Sequence, residues 1–202
     1  IKSKQIQIII IISTQDKKMD IKNSKAIISG GASGLGLMTA HKIIDAGGHA
    51  VIFDVNEEEG NNNANALGER ALFIKANVSS ENEVQNAVNK ANDFLDGVNL
   101  AVNCAGIIGA ARALGRDGPM PLDFFENTIK INLMGSFLLT KEAANIMQNN
   151  SPNNDGERGV IINTASIAAF EGQIGQAAYS ASKGGIVGMT LPLAREFARI
   201  GI

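Results

Sequence analysis

The sequence predicts an α/β chain built as a doubly wound parallel sheet, three layers deep, with helices on both faces. Three observations predict it. From residue 25 onward, short β-branched runs alternate with longer segments of helical periodicity. The runs are apolar nearly throughout, as strands buried on both faces must be. The first of them ends in a glycine-rich turn inside which a helix begins.

The elements follow in order. The first strand, 25–29, runs into SGGASGLG, and a helix spans 34–46. Gly30, Gly34 and Gly36 lie where a tight turn, a close backbone approach and close helix–strand packing each favour a residue without a Cβ. The second strand, 49–54, closes on Asp54 and is followed by a helix at 57–67, whose Asn-rich stretch 61–65 reads as its solvent face. A third strand at 71–77 precedes a helix at 80–95, and a fourth at 99–104 precedes helical sequence at 122–148, read as two helices. The fifth strand, 159–164, leads to Ser166 and then to a long helix at 176–200 that opens with Tyr179 and Lys183. Neither a linker nor a repeat divides this stretch, so 19–202 reads as one domain.

Composition excludes several function classes. With 18 basic and 20 acidic residues in 202, the formal charge is −2, and the chain lacks the basic footprint of a nucleic-acid binder. One cysteine, Cys104, permits no internal disulfide, and with His41 and His49 it makes no metal set. The isoleucine run at 8–12 is too short to span a bilayer, and its flanks show neither a cleavage site nor arginines, so 1–18 reads as a disordered or non-native leader before Met19.

The turn and Asp54 together point to a dinucleotide. Unpaired amide N–H groups and the positive end of the helix face a pyrophosphate, while a carboxylate at the end of the second strand accepts from ribose hydroxyls. Its charge would repel a 2′-phosphate, and neither the turn nor Val55 and Asn56 offer a cation to receive one, so NAD is expected. Tyr179 and Lys183 share one helix face, and Ser166 lies at the strand ends where open parallel sheets bind ligands. A phenol is a poor base at neutral pH unless a cation stabilises its phenolate, which a neighbouring ammonium does. A hydroxyl such as that of Ser166 can donate to a substrate oxygen on which charge develops. Alcohol–ketone redox chemistry without a metal is the reaction these groups suit, and the chain has no second tyrosine to compete for the acid/base role.

SGGASGLG, NCAG at 103–106, Asn132 within INLMG, Ser166 and Tyr179-x-x-x-Lys183 resemble the short-chain dehydrogenase/reductase family over 22–202. The stretch 158–196 is similar to the branch acting on 3-hydroxyacyl-CoA and hydroxysteroids. The resemblance implies a hydride exchange between NAD(H) and such a secondary alcohol or ketone. It makes Asn132 a fourth catalytic member that holds a water in a relay through Lys183. It has Asn103, Ala105 and Gly106 stabilise the central sheet and flank the cofactor, and sets Ser33 and Leu35 at the cofactor phosphates and Val78 and Cys104 near its adenosine half, with Tyr179 and Lys183 also touching it. Asn77 stands where the family commonly has Asp, its amide oxygen accepting from the adenine amino group.

Segment 107–121 departs from the pattern of that branch and shapes the substrate cleft. The resemblance further implies a homotetramer assembled through 122–148 and 176–200, with mitochondrial localisation and the cytoplasm as the alternative. A scaffold role in a mitochondrial tRNA-processing assembly is the other reading, without direct nucleic-acid binding expected from this chain. The family pattern continues after the Tyr–Lys helix with strands and a substrate loop that 202 residues do not include. The chain by itself is therefore expected to be missing its last strands, to be inactive or poorly folded, and to leave its fifth strand as an apolar, aggregation-prone edge.

Overall fold

The structure is a computed structural model that describes residues 19–202; the leader read at 1–18 lies outside the described residues. β1 (Lys25–Ser29), β2 (His49–Asp54), β3 (Ala71–Lys75), β4 (Leu100–Asn103) and β7 (Val160–Asn163) form one parallel sheet in the order β3-β2-β1-β4-β7. α1 (Gly34–Asp45), α2 (Glu57–Leu67), α3 (Glu81–Leu95) and α5 (Gly135–Met147) cover it.

Strand alternation sorts the core. Ile27, Val51, Phe53 and Ala101 point to one face and pack with Val84, Val88 and Leu95 of α3 and Leu139 and Met147 of α5. Ala26, Ile28, Ala50, Ile52 and Val102 point to the other and meet Ala40, Ile43 and Ile44 of α1 and Ala64 and Leu67 of α2. Both faces of the three inner strands are dry, which is why their sequences are apolar without interruption. Each of the Val, Leu, Ile, Phe and Met side chains in this core contributes about 1.5–3 kcal/mol by leaving water.

Chain order reverses beside β1: β2 and β3 lie on one side of it, β4 and β7 on the other. A crevice opens at such a switch point, beyond the carboxyl ends of the strands. β3 and β7 are the sheet edges among the described residues, and Ile162 of β7 is 48% exposed.

Three features differ from the expected elements. β3 stops at Lys75 rather than at 77, because the Asn77 side chain accepts from Ser79 N and turns the chain out of the ladder. Segment 107–121 contains a hairpin, β5 (Leu114–Gly115) and β6 (Gly118–Pro119), which turns through Arg116 and Asp117 and opens β6 on Gly118 at φ +128°. The 122–148 helix is not split by a loop: α4 (Leu122–Ile129) passes through a π-helical turn (Lys130–Met134) directly into α5. α6 (Ala177–Phe197) packs against α4 and this turn. Among the described residues no helix is long and apolar enough to cross a membrane.

Candidate active site

The glycine turn leaves β1 in a left-handed conformation, Gly30 having φ +64°. A Cβ on Gly30 would stand 2.7 Å from Ala105 N, and one on Gly36 would stand 2.2 Å from Gly30 O. Neither position admits a side chain, so the turn lies closer to the segment after β4, and the start of α1 closer to the turn, than any other residue allows. Ser33 caps α1 without a side-chain hydrogen bond, leaving the first amides of the helix directed outward. Asn63 of α2 pins the turn from behind by donating to Ala32 O at 2.8 Å.

These atoms wall a cavity of about 430 Å³. Gly30, Ser33, Gly34, Leu35 and Gly36 line one side of it, Asp54, Asn77 and Val78 a second, and Cys104, Ala105 and Gly106 the third. Leu35 is 72% exposed at its mouth, an apolar side chain waiting for a partner. Asp54 accepts from Ala32 N through Oδ2 at 3.2 Å and from Asn56 N through Oδ1 at 3.1 Å. Each carboxylate oxygen so keeps a lone pair for a ligand hydroxyl. A dinucleotide fits this cradle: glycines without Cβ atoms where a pyrophosphate approaches, free amides beside it, and a carboxylate one strand away for a ribose.

Asn77, Asn103 and Cys104 each make contacts within the fold. Asn77 Oδ1 accepts from both Ser79 N (3.0 Å) and Ser79 Oγ (2.8 Å), which occupies both of its lone pairs. The oxygen expected to meet an adenine amino group is thus engaged in its own turn while Asn77 lines the cavity. Asn103 does not line the cavity but is buried under it, donating to Thr140 Oγ1 at 3.1 Å and to Asn163 Oδ1 at 2.9 Å. It ties β4 to β7 and α5, so its part is to hold the sheet on which the site rests. Cys104 lies next to Thr164, whose hydroxyl is 3.9 Å from its sulfur. It lines the same cavity as Asp54, Asn77 and Val78, at the end of a strand two removed from Asp54. Burial pushes its thiol up, against the opposing effects of Thr164 and Lys183, which leaves it a poor nucleophile.

Ser166, Tyr179, Lys183 and Asn132 converge on the far side of the crevice. The Ser166 oxygen accepts from Ala168 N at 3.2 Å, capping a short 3-10 turn, so its hydroxyl proton is free to be donated to a ligand. Tyr179 is half-buried in the first turn of α6. Lys183, one turn on, is buried and donates to Thr164 O at 2.7 Å, with its ammonium 5.8 Å from the centre of the Tyr179 ring. Burial pushes this ammonium below the ordinary lysine range.

Asn132 is fully buried by the π-helical turn, where the extra residue rotates its side chain inward. It accepts from Ile107 N at 2.8 Å and donates to Ile107 O at 2.9 Å and to Ser182 Oγ at 3.0 Å. Both amide protons are committed, so the side chain clamps the post-β4 segment to α6, and only one lone pair on Oδ1 remains for a water of the expected relay. The sequence motifs give Ile107, Thr164, Ser182 and Asn63 no role, although Ser182 lies within Tyr179-x-x-x-Lys183 and Asn63 in the stretch read as a solvent face; each acts on a partner remote in sequence.

The arrangement places a proton-donating hydroxyl, a phenol and an ammonium at one end of a dinucleotide-shaped groove. Such a set can polarise a carbonyl and exchange a proton with its oxygen. The family pattern described as short chain dehydrogenase matches residues 24–202. The chain is 50% identical over 184 residues to the 3-hydroxyacyl-CoA dehydrogenase type-2 of Rattus norvegicus, covering 90% of this chain and 70% of that protein. It is 44% identical to the protein of the same name from Drosophila melanogaster, over 90% of this chain and 72% of that one. The crystal structure of 3-hydroxyacyl-CoA dehydrogenase type-2 from Mycobacterium avium superposes with a TM-score of 0.85 at 39% identity, covering 92% of this chain and 74% of that one.

Proposed function

The chain belongs to the short-chain dehydrogenase family, a family of nicotinamide-dependent oxidoreductases, and we propose that it exchanges a hydride between NAD(H) and a secondary alcohol or ketone, with 3-hydroxyacyl-CoA and 3-ketoacyl-CoA as the physiological pair. The observation that carries the reading is the buried Lys183 beside the lone tyrosine, with the Ser166 hydroxyl unspent.

NAD is favoured over NADP by charge. Asp54 stands at the ribose position, and Glu57, Glu58 and Glu59 in the first turn of α2 add to its field. Lys75, the β3 register partner of Asp54 and a cation that sequence reading overlooked, is held by Glu57 at 2.9 Å. The acyl-CoA pair is supported by the names of the relatives.

The chain's own residues supply the rest of the chemistry. A nicotinamide held by the glycine turn and Asp54 would supply the hydride acceptor or donor. Ser166 donates to the substrate oxygen and orients it, and Tyr179 gives or takes the proton on that oxygen. Lys183 stabilises negative charge on the phenol oxygen as the proton leaves. Asn132 keeps Ile107 and α6 at the spacing this requires.

The test is NADH absorbance with the protein expressed with its natural termini, against acetoacetyl-CoA, hydroxysteroids and simple secondary alcohols. The acyl-CoA pair should turn over fastest. Tyr179→Phe should lower kcat by about 1,000-fold while NADH binding persists. Full activity in that variant would overturn the mechanism, and a steroid that outruns the acyl-CoA would reassign the substrate alone.

A further inference from the structure

We propose that Ser182 is a positioning residue, setting the Tyr179 and Lys183 turn of α6 through Asn132; the proposal rests on the dehydrogenase reading above. Ser182 is completely buried, as is Asn132. Its single hydroxyl proton goes to Tyr179 O at 2.7 Å, because a carbonyl can only accept. Toward Asn132 the same oxygen must then act as acceptor, and Asn132 Nδ2 stands 3.0 Å away. The proton count therefore agrees with the two Ile107 contacts on which way the Asn132 amide faces, with Nδ2 toward α6 and Oδ1 toward Ile107 N.

Three segments of the site meet at this hydroxyl: the stretch after β4 through Ile107, the π-helical turn through Asn132, and α6 through Tyr179. Among the described residues it is the one side-chain hydrogen bond between the π-helical turn and α6. It lies at a point of closest approach, since a Cβ on Gly185 would stand 2.6 Å from Leu133 Cδ2. Ser182 also directly precedes Lys183, whose ammonium is anchored to Thr164 O. Removing the hydroxyl leaves a buried amide proton without an acceptor and the catalytic turn without its tie.

The experiment compares Ser182→Ala, Ser182→Thr, Asn132→Ala and the double Ala variant in the protein with natural termini. Ser182→Ala should lower kcat about tenfold with KM for NAD nearly unchanged. Ser182→Thr, which keeps the hydroxyl, should recover most of the loss. The double variant should be no slower than Asn132→Ala, because the two side chains act as one unit.

A second readout needs no turnover. Tyr179 is the lone tyrosine of a chain without tryptophan, so its near-ultraviolet circular dichroism band reports its immobilisation. That band should weaken in Ser182→Ala with the far-ultraviolet spectrum retained. Wild-type kcat in Ser182→Ala, multiplicative losses in the double variant, or an unchanged tyrosine band would each overturn the proposal. Should the alanine variant not fold, Ser182→Cys, close in volume and a weak donor, makes the same comparison. A wild-type protein that turns over no alcohol or ketone refutes the dehydrogenase reading, while the tyrosine band still decides the role of Ser182.

Discussion

Gly36→Ala should weaken dinucleotide binding about 100-fold, whereas Gly34→Ala, two residues away in the same turn, should weaken it less and lower stability. The new methyl carbon at position 36 would stand 2.2 Å from Gly30 O, 2.8 Å from Gly30 C and 3.0 Å from Gly31 Cα, where ordinary contacts begin at 3.4 Å. All three neighbours are backbone, so no side chain can rotate away. The start of α1 and the Gly30 peptide must separate by about 1.2 Å, and a displacement of about 1 Å in a positioning element costs about 100-fold. At Gly34 nothing lies within 4 Å of a built Cβ, and the cost is that of φ +51°. That penalty is about 1–2 kcal/mol, or roughly 2–8 °C in Tm for a domain of this size. NADH fluorescence titration and thermal unfolding measure the two effects separately. NADH affinity in Gly36→Ala within about threefold of wild type, or a larger loss in Gly34→Ala, would refute the steric reasoning.

Two further outcomes follow from charges in the groove. Asp54→Asn keeps the shape of the side chain but removes the charge facing a 2′-phosphate, so the NADPH/NADH affinity ratio should rise by about tenfold or more; an unchanged ratio in paired fluorescence titrations would count against Asp54 as the discriminating group. Burial holds Lys183 below the ordinary lysine range, so between its folded and unfolded pKa values the unfolded chain binds more protons, and stability rises with pH across that window. Below the folded value the cost of burying the ammonium is fully present. Lys183→Met lacks this term, so urea unfolding across the alkaline range should show wild type gaining on the variant as pH rises. A constant difference between the two would show that the ammonium is not the source.

β1 and β2 begin and end where their apolar runs do, since these inner strands pack on both faces and the run length is the strand length. β3 loses its last two expected residues to a side-chain turn at Asn77 that apolar periodicity does not register. The hairpin at 114–119 turns through Arg116-Asp117, which is not one of the glycine-bearing pairs that mark two-residue hairpin turns, and its two-residue strands leave no periodicity to read. The π-helical turn had no local signal: one added residue shifts the apolar phase, and the shift reads as a boundary between two helices. Asn132 accordingly entered through family resemblance alone, and its clamp on Ile107 and Ser182 came from the structure.

What the sequence determined by itself is local chemistry: a glycine turn after a strand, a carboxylate closing the next, and a phenol and an ammonium one helical turn apart. Steric limits and helical spacing act within a few residues, so they are written in consecutive letters. The tertiary structure decided which of those groups are still free to meet a ligand. A local turn engages Asn77, hydrogen bonds between remote segments tie Asn103 to β7 and α5 and Asn132 to α6, and Asp54 and Ser166 keep capacity to spare. Ser182 belongs to the same class, since a buried hydroxyl takes its meaning from its partners, and folding brings one of them from fifty positions away.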